Sequence, residues 1–231
     1  MEFSLLAAAA IAAGAFWLMI RWEAKRGNAA GCALDIWEAG ITSAVAGVFI
    51  GRLTAMISAG INPFSDPGQI LLVRSGVSTV GAVLGTLATY LFLARRDIVG
   101  GLDAVAPAAL AALAGWHGGC LATNGCLGTE STLPWAMTLD GSTVTRHPVE
   151  LYAAILLAIG AIGIALWKEH GRPWPLAPTG VALFVAGGVR LVTEPMRISL
   201  AGGPILLYGT GCVIGATLLG WSAITHTRSP A

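Results

Sequence analysis

An all-α bundle of about seven transmembrane helices is the fold class this chain of 231 residues predicts. Three observations lead there. Hydrophobic residues make up 55% of the sequence and charged residues only 11%, whereas a soluble domain carries about 25% charged residues. So few polar side chains cannot cover a surface facing water. The mean hydropathy is +0.75, and the apolar residues gather in stretches near the roughly 20 residues that cross a hydrocarbon core. Finally, 31 glycines run through those stretches, as expected where helix backbones approach closely. The net charge of +1 comes without any basic run able to track a phosphate backbone, so nucleic acid is excluded as a partner.

The spans are expected near 3–21, 34–58, 76–95, 102–117, 148–167, 176–194 and 204–225, within one integral-membrane domain covering 1–231. The first, "FSLLAAAAIAAGAFWLMI", has its basic residues after it and none before it. It therefore reads as a retained span and not as a signal peptide. In the second, Arg52 interrupts an apolar helix, and "INPFSDPG" then breaks the chain. Glycines space the third, which ends at Arg95 and Arg96. The fourth is short and Ala-rich, a half-span or a tilted segment. A polar loop near 118–147 precedes the fifth, whose first turn holds Pro148, where a missing N–H does no harm. Pro195 ends or kinks the sixth by freeing the carbonyl of Leu191.

Charge sets the expected orientation. Arg21, Lys25, Arg26, Arg95, Arg96, Lys168, Arg172 and Arg228 fall at alternate span ends, marking that side as cytoplasmic. The N-terminus is then outside and the C-terminus inside. Arg52, Arg74, Arg146, Arg190 and Arg197 remain, all in or near the outer half. Topology does not need them, and an ionisable group at membrane depth is by default a functional residue.

Four segments carry the candidate chemistry. In "GGVRLVTEPMR", Arg190, Glu194 and Arg197 are spaced by four and three residues and share a helical face. One reading is an internal ion pair of Glu194 with Arg197. Two arginines against one carboxylate leave excess positive charge, which suits a phosphate gripped by planar guanidinium forks. In "TRHPVELYAA", Arg146 and His147 precede a helix N-terminus, a favourable place for an anion, with Glu150 and Tyr152 in the first turns. The bland alternative is a capped helix with interfacial anchors.

In "GWHGGCLATNGCLGTESTLPWAM", small residues let the backbone approach a ligand closely. His117, Cys120 and Cys126 match no common zinc spacing. Two buried thiols are favoured there over a disulfide on the oxidising side or a metal site. No metal and no cofactor are expected. Arg52 and the Gly-spaced span after it form the fourth segment.

In this order, these segments resemble the prolipoprotein diacylglyceryl transferase family. "RHPVELY" is similar to that family's R-H-P-x-Q-L-Y-E segment and "RLVTEPMR" to its R-F-x-x-E-x-x-R signature. "GGCLATNGCLGTESTLPWAM" resembles its central signature, and "GRLTAMI" with "DPGQILLVRSGVSTVGAVLG" resembles the segment ending S-x-H-G-G-x-x-G. The resemblance implies a seven-span protein of the bacterial inner membrane that moves the diacylglyceryl group of phosphatidylglycerol onto a lipoprotein-precursor cysteine, releasing glycerol phosphate. It places Arg190 at the position of the family's essential arginine; His117 is the second catalytic candidate, as a replacement base or phosphate contact. Arg52, Asn124, Gly128, Arg146, His147, Tyr152, Glu194 and Arg197 would bind the phospholipid headgroup.

The chain departs from the family at four places. Val80 stands where the family has a histidine, His117 where the central signature has an arginine, Ala186 where a tyrosine precedes Arg190, and Glu150 where a glutamine stands. These losses open a second reading, a non-catalytic phospholipid-binding subunit of a larger membrane complex. A channel or transporter fits less well, because no inverted repeat is visible and the charges gather toward one face.

Overall fold

The computed structural model describes residues 2–28, 32, 34–63, 65, 76–122, 126–138, 141–171, 173–198 and 203–227. Among them are seven α-helices: α1 (Glu2–Lys25), α2 (Ile36–Ser58), α3 (Thr79–Leu93), α4 (Ile98–Gly118), α5 (Val149–Gly171), α6 (Ala177–Thr193) and α7 (Ile205–Thr227). A two-stranded antiparallel ribbon, β1 (Met137–Thr138) and β2 (Thr145–Arg146), lies between α4 and α5. Five helical segments are long and apolar enough to cross a membrane: Leu6–Lys25, Ile36–Ser58, Ile98–Leu121, Val149–Gly171 and Ile205–Thr225. The chain is thus a polytopic helical membrane protein. At 15 residues α3 is shorter, about 22 Å at 1.5 Å per residue. The 17 residues of α6 reach about 26 Å.

The fourth span is not a half-span. It begins at Ile98, earlier than expected, and runs 21 residues, about 32 Å. Asp97 makes this start: its carboxylate accepts the Gly100 N–H at 2.9 Å, occupying a donor the first helical turn leaves open. Gly100 and Gly101 look like breakers in sequence, but the cap overrides them.

The chain divides into two compact units, 32–101 and the remainder. In the smaller unit, α2 and α3 pack through glycines four residues apart on each helix. A Cβ on Gly81 would stand 3.0 Å from the Cα of Gly51, and one on Gly85 3.2 Å from the Cα of Gly47. Backbones this close gain dispersion contacts that lipid tails cannot replace.

In the larger unit, α1 lies on the end of α4, where a Cβ on Gly115 would come within 2.9 Å of the Cα of Ala12. Helices α6 and α7 meet through Gly180 and Gly215. A Cβ on either would press on the other's carbonyl oxygen, at 2.9 and 2.6 Å. Charges cluster at both ends of this unit. At one end, buried Glu23 pairs with Lys168, and Arg26 pairs with Glu169. Lys168 also donates to the carbonyl of Asp103 at 3.1 Å.

The carboxylate of Asp103 itself caps a neighbouring helix. It accepts the Leu176 N–H at 2.7 Å, the Thr179 N–H at 3.1 Å and the Thr179 hydroxyl at 2.5 Å. Leu176 enters α6 in the left-handed region, φ 67°, with no side-chain cap of its own. The acidic residue in α4 therefore fixes the start of α6 and, through it, where Arg190 falls at the other end.

Candidate functional site

Arg190 sits in the last turn of α6. Pro195 cannot continue the ladder, so the chain tightens into a 3₁₀ turn, Glu194–Met196. The turn closes with the Arg197 N–H on the Glu194 carbonyl at 3.0 Å. This geometry folds both arginines onto one carboxylate. Glu194 Oε2 lies 2.7 Å from Arg190 Nη2, and Oε1 lies 3.2 Å from Arg197 Nη1. The predicted pairing of Glu194 with Arg197 is present, and it extends to Arg190. Gly203, at φ +61°, passes directly over this carboxylate, where a Cβ would collide with it.

A second carboxylate completes the cluster. Glu150, in the first turn of α5, receives Arg197 Nε on Oε1 at 2.8 Å. Its Oε2 stands 3.4 Å from Arg190 Nη1 and 2.5 Å from His117 Nδ1. Tyr208 of α7 lies under Arg190, with the guanidinium carbon 5.4 Å from the ring centroid. Helices α4, α5, α6 and α7 each supply one part.

The expected surplus of positive charge is therefore corrected: two guanidinium groups face two carboxylates. A buried arginine without a partner costs several kcal/mol, and Glu150 provides the second partner. The site is not sealed, however. The Arg190 side chain is 10% exposed and that of Arg197 38%. A guanidinium has five N–H donors. Arg190 commits Nη1 and Nη2, and Arg197 commits Nε and Nη1. Among the described residues, Arg197 Nη2 makes no hydrogen bond, so donors remain for an anion.

Beyond His117 the chain makes a short 3₁₀ turn, Gly119–Ala122. There Cys120 and Cys126 are joined by a disulfide, with their Cα atoms 4.9 Å apart. The favoured reading of two separate thiols is overturned, because the turn brings them within bonding reach. Joined in a disulfide, the two sulfurs are not available as thiolate ligands.

From Cys126 the polar loop forms a small head. The Gly128 N–H reaches the His147 carbonyl at 2.8 Å and the Thr129 N–H the Met196 carbonyl at 2.8 Å. Gly128 has no room for a Cβ against Met196 and Val149, and that close approach ties the head to the Arg197 turn.

The other expected site residues form a separate group. Arg146 donates to the Gly128 carbonyl at 3.2 Å and faces exposed Glu130 at 3.8 Å. His147 Nδ1 is 3.4 Å from the Tyr152 hydroxyl, which accepts the Trp135 indole N–H at 2.7 Å. An open cleft of about 590 Å³ beside them is lined by Glu130, Ser131, Leu133, Thr145 and His147. Among the described residues, Arg146, His147 and Tyr152 share no hydrogen bond or ion pair with Arg190 or Arg197.

Arg52 is buried in the smaller unit and donates to the Gly76 carbonyl at 3.0 Å. Asn124 lies outside the described residues, as do Arg74, Arg172 and Arg228. Glu150, Tyr208 and Gly203 join the site beyond the residues expected from the sequence. For Glu150 a signal was present, a carboxylate where the resembled segment has an amide. For Tyr208 and Gly203 there was none, since only tertiary packing brings them to the arginines.

Fold and site together define a class: a multi-pass helical membrane protein with a partly open cluster of arginines and carboxylates at one end of its bundle. Comparison with known proteins makes this specific. Residues 1–225 match the family model for prolipoprotein diacylglyceryl transferase, and the chain belongs to that family. Relatives that carry the name phosphatidylglycerol–prolipoprotein diacylglyceryl transferase include the following three. That of Nitratidesulfovibrio vulgaris is 33% identical over 143 residues, 59% of this chain and 54% of the relative. That of Methylococcus capsulatus is 28% identical over 199 residues, 81% of this chain and 74% of the relative. That of Idiomarina loihiensis is 30% identical over 128 residues, 54% and 48%. The matched region spans about half the length of the Nitratidesulfovibrio and Idiomarina proteins.

Proposed function

We propose that this chain transfers a diacylglyceryl group from phosphatidylglycerol to the cysteine thiol of a lipoprotein precursor. It would act in a bacterial inner membrane, with the Arg190 end on the outer side. The observation that carries this reading is the guanidinium pair itself, pre-oriented by Glu150 and Glu194 and with N–H donors that no described residue takes up. Preorganised donors aimed at developing charge are the largest common source of transition-state stabilisation. In this transfer, charge develops on the phosphate oxygen that leaves the glyceryl carbon. Arg190 stabilises that oxygen, and Arg197, the more exposed of the two, receives the headgroup. Arg146, His147, Tyr152, Asn124 and Gly128 are assigned to the headgroup's approach. The orientation draws support from the disulfide at the Arg190 end, which belongs in an oxidising compartment, and from Arg26 and Lys168 at the opposite end.

The test uses the full chain in phosphatidylglycerol vesicles with a cysteine-bearing lipoprotein-precursor peptide, reading the thioether-linked lipid by mass. Transfer by the wild type and its loss in Arg190→Ala support the proposal. A wild-type yield no greater than vesicles alone rejects it.

One observation favours the second reading, a non-catalytic phospholipid-binding subunit of a larger membrane complex. The cluster is charge-balanced without any ligand, so it needs no phosphate to be stable. On that reading the purified protein retains anionic phospholipid, and Arg197→Ala releases it, while no peptide is modified.

A further inference from the structure

Two of the departures from the family segments are in contact. His117 and Glu150 replace an arginine and a glutamine of the resembled signatures, and His117 Nδ1 lies 2.5 Å from Glu150 Oε2. We propose that this pair is the proton acceptor for the substrate thiol: Glu150 positions the imidazole, and His117 Nε2 takes the proton. The assignment rests on the transfer reading above.

The geometry supplies each requirement. A carboxylate accepting the Nδ1–H fixes the tautomer and leaves the lone pair on Nε2, as in other carboxylate-oriented histidine bases. Among the described residues, Nε2 makes no hydrogen bond. The base sits beside the phosphate-binding group: Oε2 of Glu150 also faces Arg190 Nη1 at 3.4 Å, and Oε1 holds Arg197 Nε at 2.8 Å. The charged groups around the imidazole are thus Glu150 from α5, Arg190 from α6 and Arg197 from the turn after it. Their charges cancel once Glu194 is included.

The step balances. The thiol S–H bond breaks and its proton moves to Nε2. The sulfur pair forms the C–S bond at the glyceryl carbon, and the C–O bond to phosphate breaks with its electrons on the leaving oxygen. The proton then passes from the imidazolium to the released glycerol phosphate. While it rests on His117, the cluster carries one more positive charge, at the moment the phosphate gains a negative one. Proton acceptance and leaving-group stabilisation are joined through a single carboxylate.

The test compares the wild type with Glu150→Gln, His117→Gln and His117→Arg in the vesicle assay across a pH series, with thermal unfolding as the check on folding. Either glutamine variant is expected to lower kcat by roughly 10²–10⁴-fold at neutral pH, the usual worth of a positioned base. Their deficit should narrow as pH rises through the thiol's own range near ~8.5, where the thiol ionises unaided. His117→Arg should be as inactive as His117→Gln, since arginine cannot take up the proton. A folded Glu150→Gln or His117→Gln that keeps wild-type turnover overturns the pair, as does a deficit equal at every pH. An active His117→Arg overturns it in favour of a cationic phosphate contact. In each of those results the transfer reading stands, whereas a wild type that transfers nothing removes both.

Discussion

Glu150 Oε1 stands 2.8 Å from Nε of Arg197, an ion pair, while Oε2 of the same carboxylate holds His117 at 2.5 Å. One side chain at the start of α5 thereby joins the end of α4 to the turn after α6. Removing either carboxylate of the cluster exposes what that joint stabilises.

Glu194 is the more deeply buried of the two carboxylates. Glu194→Ala leaves Arg190 with a single 3.4 Å partner oxygen, on Glu150. Breaking a buried pair from one side costs about 3–5 kcal/mol. Thermal unfolding in detergent should show a large drop in midpoint, and an unchanged midpoint would deny the pair its structural part.

The two arginines should separate kinetically. Arg190→Lys loses the fork that reaches Glu150 and Glu194 at once, and kcat is expected to fall by roughly 10²–10³-fold if the transfer proposal holds, as for loss of an oxyanion donor. Arg197→Lys, at a more exposed site, should chiefly raise KM for phosphatidylglycerol. Steady-state kinetics with vesicles of varied phosphatidylglycerol content will separate the two effects.

The disulfide has a direct chemical readout. Alkylation of the native protein without reductant should modify only Cys32 and Cys212, and all four cysteines after reduction. Losing the cross-link by Cys126→Ser should cost about 2 kcal/mol, the low end for a short loop. Four labelled thiols in the unreduced native protein would contradict the assignment.

At the opposite end of the larger unit, Asp103→Ala removes the acceptor for two backbone N–H groups and one hydroxyl at the start of α6. A lost helix cap costs roughly 0.5–2 kcal/mol. The variant should unfold at lower temperature and also lose some transfer activity, because α6 carries Arg190. Asp103→Asn keeps an acceptor oxygen and should retain most of both.

Much of this architecture was legible in the residues alone. Apolar run length gave the five helices long enough to cross a membrane, and the spacing of Arg190, Glu194 and Arg197 gave a shared face. Pro195 announced the turn that ends α6. Glu150 was harder to place, because its pairing with both arginines depends on α5 and α6 lying side by side, which no local pattern encodes. The start of α4 was hidden by Gly100 and Gly101, whose breaking tendency the Asp97 cap outweighs. The disulfide depended on a 3₁₀ turn, and a six-residue separation does not reveal that turn. The charge balance followed the same rule: counting charges within one segment misses a partner from another helix.

Transfer is read most directly in the mass of a cysteine peptide after incubation with the full chain and phosphatidylglycerol vesicles, with released glycerol phosphate counted beside it. One diacylglyceryl thioether and one glycerol phosphate are expected per modified peptide, both lost in Arg190→Ala. Unmodified peptide with the wild type, or undiminished product with Arg190→Ala, would contradict the proposal.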